Sequence, residues 1–270
     1  MTKCIVAGAA GRMGVRIIDT IYQTEGVSLA GATEMQEHPR LGSDVGELLG
    51  RGKTSISIVD SLEKVSRDYD VVIDFTAPDS SLKSLEWVHA QGKAAVIGTT
   101  GFTNEQTERI NTLAGDIPCV CAPNMSVGIN LMFSIISQVA AKLKDEYDIE
   151  IMESHHRLKK DAPSGTAVKM AQILADAVER DLDAVAVHQR KGIIGPRKKE
   201  EIGIQVVRAG DIVGEHTVLF GGLGERLEIT HKAHNRDTFA RGAVRAARWI
   251  VTQQPGLYEM LDVLGLKYLL

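Results

Sequence analysis

"KCIVAGAAGRMGVRIIDTIYQ", residues 3–23, runs from an unbroken apolar stretch into Gly8, Gly11 and Gly14, and then into Val15, Ile18 and Ile21 at helical spacing. It reads as strand, tight turn, helix. The G-x-x-G-x-x-G spacing is a relative of the dinucleotide fingerprint, in which glycines permit a tight turn and a close approach of backbone to a pyrophosphate. The phosphates then sit at the start of the helix, where unpaired N–H groups and the helix dipole favour negative charge. Glycines at this spacing also arise by chance in a plain strand-turn-helix. Here a further apolar stretch, "VSLAGATE" (27–34), ends in Glu34, 20 residues beyond Gly14. That is where an acid accepts hydrogen bonds from an adenosine ribose.

Outward from this unit, "YDVVIDFTAP" (69–78), "KAAVIGTTG" (93–101) and "IPCVCAPN" (117–124) read as further strands, and "SLKSLEWVHAQG" (81–92) reads as a helix between the first two of these. Strands that alternate with helices imply βαβ crossovers and a parallel sheet covered on both faces, with ligands at the carboxyl ends of its strands. The fold class is therefore α/β, a Rossmann-type parallel sheet in an N-terminal domain of residues 1–126, followed by a C-terminal α+β domain over 127–235. On the ligand-binding edge lie Gly98, Thr99 and Thr100, and then Ala122, Pro123, Asn124 and Met125 where the two halves of the chain join. Threonine and glycine after a strand are also ordinary loop residues. Their place on this edge makes them candidates for the reactive end of a cofactor.

Beyond Asn124 the pattern changes. "GINLMFSIISQVAAKLK" (128–144) is a helix and "DIEIMESHH" (148–156) a strand. "GIQVVRAG" (203–210), "GEHTVLFGG" (214–222) and "RLEITHKAH" (226–234) follow one another as adjacent antiparallel strands, while "DTFARGAVRAARWIV" (237–251) and "PGLYEMLDVLGL" (255–266) read as closing helices.

The 270 residues carry a formal net charge of -4, which argues against nucleic acid or an anionic membrane as the main partner, since either favours a broadly basic face. Three cysteines, with Cys119 and Cys121 on one face of a strand, fit a reducing cytoplasm. Neither a signal peptide nor a membrane-spanning run is visible.

Against that acidic background, "ESHHRLKKDAPSGTA" (153–167) concentrates His155, His156, Arg157, Lys159 and Lys160. His155 and His156 sit at or just beyond the strand's end, so the two imidazoles point to different sides unless the strand has already turned. A metal is a poor fit, because the neighbouring cations oppose one. An anion suits the stretch better: Pro163 and Ser164 resemble a helix start, and the N–H groups near Gly165 and Thr166 face incoming charge. Such a combination is what a carboxylate-bearing substrate needs.

Taken together, "VAGAAGRMG", "DFTAP", "VIGTTGF", "APNMSVGIN", "ESHHRLKKDAPSGTA", "VRAGDIVGEHTV" and "ERLEITHKA" resemble the motif series of the bacterial 4-hydroxy-tetrahydrodipicolinate reductase family, in the family's order and over nearly the whole chain. The resemblance implies a cytoplasmic homotetramer of diaminopimelate and lysine biosynthesis whose first domain is completed by residues 236–270. The second domain then supplies substrate binding and most tetramer contacts. It implies that Gly8, Ala9, Ala10, Gly11, Arg12 and Met13 form the cofactor loop and that Glu34 is the ribose acid. Gly98 to Thr100 and Ala122 to Met125 become nicotinamide-side contacts. His155 and Lys159 become the proton-handling residues, with His156, Gly165 and Thr166 on the carboxylates of a cyclic dicarboxylate substrate. Family members that favour NADPH often carry arginine after the ribose acid, whereas Met35 stands here and Arg12 is left as a possible phosphate contact. Use of both NADH and NADPH is expected, with NADH equal or better. The rivals are a semialdehyde dehydrogenase, which needs a poised cysteine, and a nucleotide-sensing regulator, which needs no proton donor.

Overall fold

The computed structural model describes residues 1–66 and 68–266. In chain order its elements are β1 (Thr2–Ala7), α1 (Gly14–Gln23), β2 (Val27–Thr33), α2 (Val45–Leu48), β3 (Ile58–Val59), β4 (Val71–Asp74), α3 (Pro78–Ala90), β5 (Ala94–Ile97), α4 (Asn104–Ala114), β6 (Pro118–Cys121), α5 (Val127–Leu143), β7 (Asp148–His155), α6 (Gly165–Ala177), α7 (Leu182–Val185), β8 (Ala186–Val187), β9 (Ile202–Arg208), β10 (Gly214–Gly221), β11 (Arg226–Ala233), α8 (Asp237–Ile250), β12 (Gly256–Tyr258) and α9 (Met260–Val263). Two compact units result, one of Met1–Val127 with Arg236–Gly265 and the other of Gly128–Asn235 with Leu266. None of the described helices is long and apolar enough to cross a membrane.

In the first unit seven strands form a sheet in the order β12-β6-β5-β4-β1-β2-β3, and every neighbouring pair is parallel. β4 and β5 are buried along their whole length. They read as continuous apolar runs rather than alternating ones because helices cover both faces. Ile17, Ile18 and Ile21 of α1 and Ala243, Ala247 and Ile250 of α8 pack on one face. Leu85 and Val88 of α3 and Ile110 and Leu113 of α4 pack on the other. The strand order reverses between β1 and β4, which opens a crevice at their carboxyl ends. α4, which the apolar pattern did not announce, starts with a capping box between Thr103 and Gln106.

Two expectations are corrected. Residues 255–266 are not one helix: Gly256–Tyr258 add a parallel strand beside β6, and only Met260–Val263 are helical. Leu257, Met260, Leu261 and Leu264 mimic a helical stripe, but Glu259 and Asp262 form a capping box that starts the helix late. In the second unit the sheet order is β11-β10-β7-β9-β8. β9 therefore lies parallel to β7 and not beside β10, while β10 is antiparallel to both β7 and β11. Alternation identifies the buried side of a strand but is silent about its neighbour.

β7 is central in this sheet. α5 and α6 cover one face through Phe133, Ile136, Met170 and Leu174, set against Ile149, Ile151, Ile204 and Phe220. Each such buried side chain contributes roughly 1.5–3 kcal/mol, a stiff base for the loops at the strand ends. On the opposite face Glu150 takes two hydrogen bonds from Arg190 (2.9 and 2.8 Å) and one from Arg197 (3.1 Å), which pins the stretch before β9. Met152 and Val207 are exposed on that same face.

Candidate active site

In the first unit, Gly8 follows β1 with φ of +70°, and a Cβ there would lie 2.8 Å from Thr76 Cγ2. Only glycine suits both constraints. A Cβ on Gly14 would collide with the Gly8 carbonyl oxygen and the Ala9 backbone, so α1 begins directly against the turn. The Gly11 N–H closes the turn on the Gly8 carbonyl at 3.0 Å. No side chain caps α1, which leaves a helix N-terminus of the kind that receives a phosphate. Glu34 is tied to the same turn: its Oε2 accepts from the Ala10 N–H and its Oε1 from the Met35 N–H, each at 3.0 Å. A groove of 600 Å³ lined by Gly8, Gly11, Glu34, Met35, Phe75 and Thr76 runs along this edge. The turn, the uncapped helix start and the acid, with Gly8, Gly11 and Glu34 all lining the groove, fit a dinucleotide.

The other residues expected here divide by what their side chains do. Ala9, Ala122 and Met125 are buried in the core, so only their backbone can face a ligand. Arg12, Thr100 and Pro123 are exposed, while Ala10, Met13 and Gly98 are half-buried. The Asn124 side chain accepts from the Ser126 N–H at 2.9 Å. Thr99 is buried in a network centred on Asp74, a residue the sequence reading did not single out. Asp74 Oδ1 accepts from the Thr76 N–H (2.9 Å), the Thr76 hydroxyl (2.7 Å) and the Ser81 hydroxyl (2.6 Å). Ser81 Oγ lies 2.6 Å from Thr99 Oγ1. One buried acid thus fastens the ends of β4 and β5 to the start of α3.

In the second unit, β7 alternates so that Ile149, Ile151, Glu153 and His155 face inward. Burial alone would raise the Glu153 pKa. Two hydrogen bonds from Arg208 (2.8 Å each), one from His155 Nδ1 (2.6 Å) and one from the Ser164 N–H (2.9 Å) outweigh it and hold the carboxyl at about 2. The ionised carboxylate only accepts, so His155 carries its proton on Nδ1 and presents Nε2. Nε2 faces Gly214, where a Cβ would lie 3.1 Å away. Burial lowers the His155 pKa, with Glu153 acting in the opposite sense.

Around this pair, His216 packs edge-on to His155 at 5.2 Å between ring centroids, and its Nε2 lies 3.2 Å from Ser164 Oγ. Burial first and then the neighbouring His155 push the His216 pKa down to about 3, so it stays neutral. Ser164 caps α6 by accepting from the Ala167 N–H at 3.2 Å. At Gly165, the first helical residue, an added Cβ would meet nothing within 4 Å, and Thr166 follows. The Lys159 ammonium lies 3.0 Å from Asp161 Oδ1. His156 is half-buried, and its Nδ1 has no partner among the described residues. This assembly can bind an anion at the start of α6 and exchange a proton at His155 Nε2. The roles of Glu153, Arg208 and His216 went unseen in the sequence. The available signal was an ionisable residue at an inward position of an alternating strand.

The cysteines offer no nucleophile. Burial foremost pushes Cys4 up to about 12 and Cys121 up to about 11, and raises Cys119 as well.

A parallel sheet with a glycine turn suited to a dinucleotide in one unit, and a Glu–His pair beside a cationic loop in the other, define the class: the Rossmann-fold oxidoreductases. Within it, the chain belongs to the dihydrodipicolinate reductase family: residues 2–125 match its N-terminal part and residues 128–264 its C-terminal part. It is 54% identical over 267 residues to the 4-hydroxy-tetrahydrodipicolinate reductase of Syntrophus aciditrophicus (strain SB), covering 99% of this chain and 100% of the relative. Identity to the same-named protein of Pelobacter propionicus is 55% over 267 residues, again 99% of this chain and 100% of the relative. Among solved structures, the dipicolinate-bound dihydrodipicolinate reductase from Paenisporosarcina sp. TG-14 superposes with a TM-score of 0.74 at 27% identity, covering 97% of this chain and 98% of that one.

Proposed function

We propose that the chain reduces 4-hydroxy-tetrahydrodipicolinate to tetrahydrodipicolinate, with NADH or NADPH as reductant, in diaminopimelate and lysine biosynthesis, as a cytoplasmic homotetramer. The observation that carries the reading is the Glu153–His155 pair beside Lys159 and the open N-terminus of α6. In the overall balance one hydride and one proton enter and one water leaves. A reduced nicotinamide, when bound, supplies the hydride, and the first unit's residues hold it: Gly8 to Met13 at the pyrophosphate, Glu34 at the ribose, and Gly98 to Thr100 with Ala122 to Met125 toward the nicotinamide.

The remaining work falls to side chains of the second unit. His156, Lys159 and the N–H groups of Gly165 and Thr166 hold the two carboxylates of the ring, and fixing a reactant in this way can remove about 7 kcal/mol or more of a barrier. Hydride addition to a conjugated imine builds electron density that a proton must meet. His155 Nε2 and the Lys159 ammonium handle that proton, and Glu153 steadies the imidazolium whenever it forms. Exposed Met152 and Val207 give the sheet apolar surface toward a second copy. Mixing the purified protein with freshly generated 4-hydroxy-tetrahydrodipicolinate should consume NADH and NADPH absorbance, and light scattering should give four chains. Stable absorbance with both cofactors would remove the reading.

A further inference from the structure

Glu34, Asp60 and Glu63 line the groove beside the glycine turn, and among its described lining residues Lys83 is the cation. Two of the acids are already engaged, Glu34 by the Ala10 and Met35 N–H groups and Asp60 by Lys64 at 2.8 Å. Lys83 is not: exposed on α3, it has no ion-pair or hydrogen-bond partner among the described residues. Ser80, Lys83, Ser84 and Trp87 recur at helical spacing and all line the groove, so the ammonium rises from a helix face that forms one wall. A groove of this charge repels a phosphate on the ribose held by Glu34. Neither position singled out from the sequence relieves that repulsion within the groove. Met35 is apolar and 70% exposed, and Arg12 is not among the lining residues.

We propose that Lys83 is the residue that lets this chain accept the 2'-phosphate of NADPH, and that without it the groove is selective for NADH. The proposal rests on reading the groove as the adenosine site. A lysine is a compact point charge on a flexible stem and lacks the bidentate fork of arginine. Its contact with a phosphate at an exposed site is weak and screened by salt. Such a contact offsets the carboxylates without overturning them, which yields use of both cofactors with NADH equal or better.

Lys83→Met tests this, since methionine keeps the apolar stem and suits a helix interior. NADH and NADPH are titrated by nicotinamide fluorescence into wild type, Lys83→Met, Arg12→Ala and the double variant Lys83→Met/Met35→Arg, at low and high salt. The expected result is an NADPH Kd about fivefold weaker in Lys83→Met with the NADH Kd held within about twofold. A flatter salt dependence for NADPH, and recovery of NADPH binding in the double variant, should accompany it. Equal weakening of both cofactors would place Lys83 on a part they share and overturn the proposal. So would an unchanged NADPH Kd, or a loss of NADPH affinity confined to Arg12→Ala. Failure of wild type to bind either cofactor would instead overturn the reading of the groove itself.

Discussion

Glu153→Gln keeps the shape of the buried side chain and removes its charge. Oε1 accepts from the Ser164 N–H and Arg208, and Oε2 from His155 Nδ1 and Arg208. A glutamine amide has one acceptor oxygen, so whichever way it turns its NH2 confronts donors, and the Arg208 guanidinium loses its counter-charge. Removing one partner of a buried ion pair costs about 3–5 kcal/mol, and the second unit should be destabilised on that scale. The effect on chemistry is separate. Burial holds the His155 pKa down and Glu153 holds it up, so losing the carboxylate lets it fall further. The imidazolium is then disfavoured, and any step that passes through it slows. The limb of the pH profile that titrates His155 should move to lower pH, and the NADH Kd should stay where it was. Urea unfolding, the pH dependence of kcat and a fluorescence titration of NADH read the three quantities. A stability loss under about 1 kcal/mol together with an unmoved pH profile would refute the assignment of Glu153 as the group that positions His155.

Lys159→Ala should lower kcat by about a hundredfold or more with NADH affinity unchanged; reversed outcomes, affinity lost and turnover kept, would contradict its role. In the proposed site the Thr166 hydroxyl adds to its backbone N–H at a substrate carboxylate; Thr166→Val removes the hydroxyl alone, so KM should rise more than kcat falls in steady-state assays. His216 titrates near 3 in the folded chain against an ordinary 6.5, so between these values the unfolded chain binds the extra proton and stability falls as pH falls. From pH 7 to 5 this amounts to about 2 kcal/mol, visible in unfolding curves and abolished in His216→Gln. Buried, unionised cysteines should react sluggishly with Ellman's reagent in the native protein, and thiol alkylation should spare turnover.

The first unit was legible because its signals are local. Gly8, Gly11 and Gly14 mark a turn by spacing alone, and apolar runs mark strands covered on both faces. Asp74 escaped because its partners, Ser81 and Thr99, come from separate elements. In the second unit, the extended stretches announced β9 and β10 as strands, but placing β7 between them depends on contacts distant in sequence. The cationic stretch pointed to an anion site through the residues expected to face a ligand. Arg208 and His216, which stand behind it, looked like ordinary strand residues until pairing set them beside Glu153.

The bonds of Glu153 join three elements at one point: β7, from which it projects, β9 through Arg208, and the start of α6 through Ser164. The His155 imidazole hangs from the same joint. Loosening the site and melting the sheet are therefore a single event, and local motion of His155 cannot be bought separately from the integrity of its domain. A lineage adapting this enzyme to colder or hotter surroundings would have to adjust flexibility in flanking segments, such as the stretch that Arg190 and Arg197 pin to Glu150, and leave the joint itself unchanged.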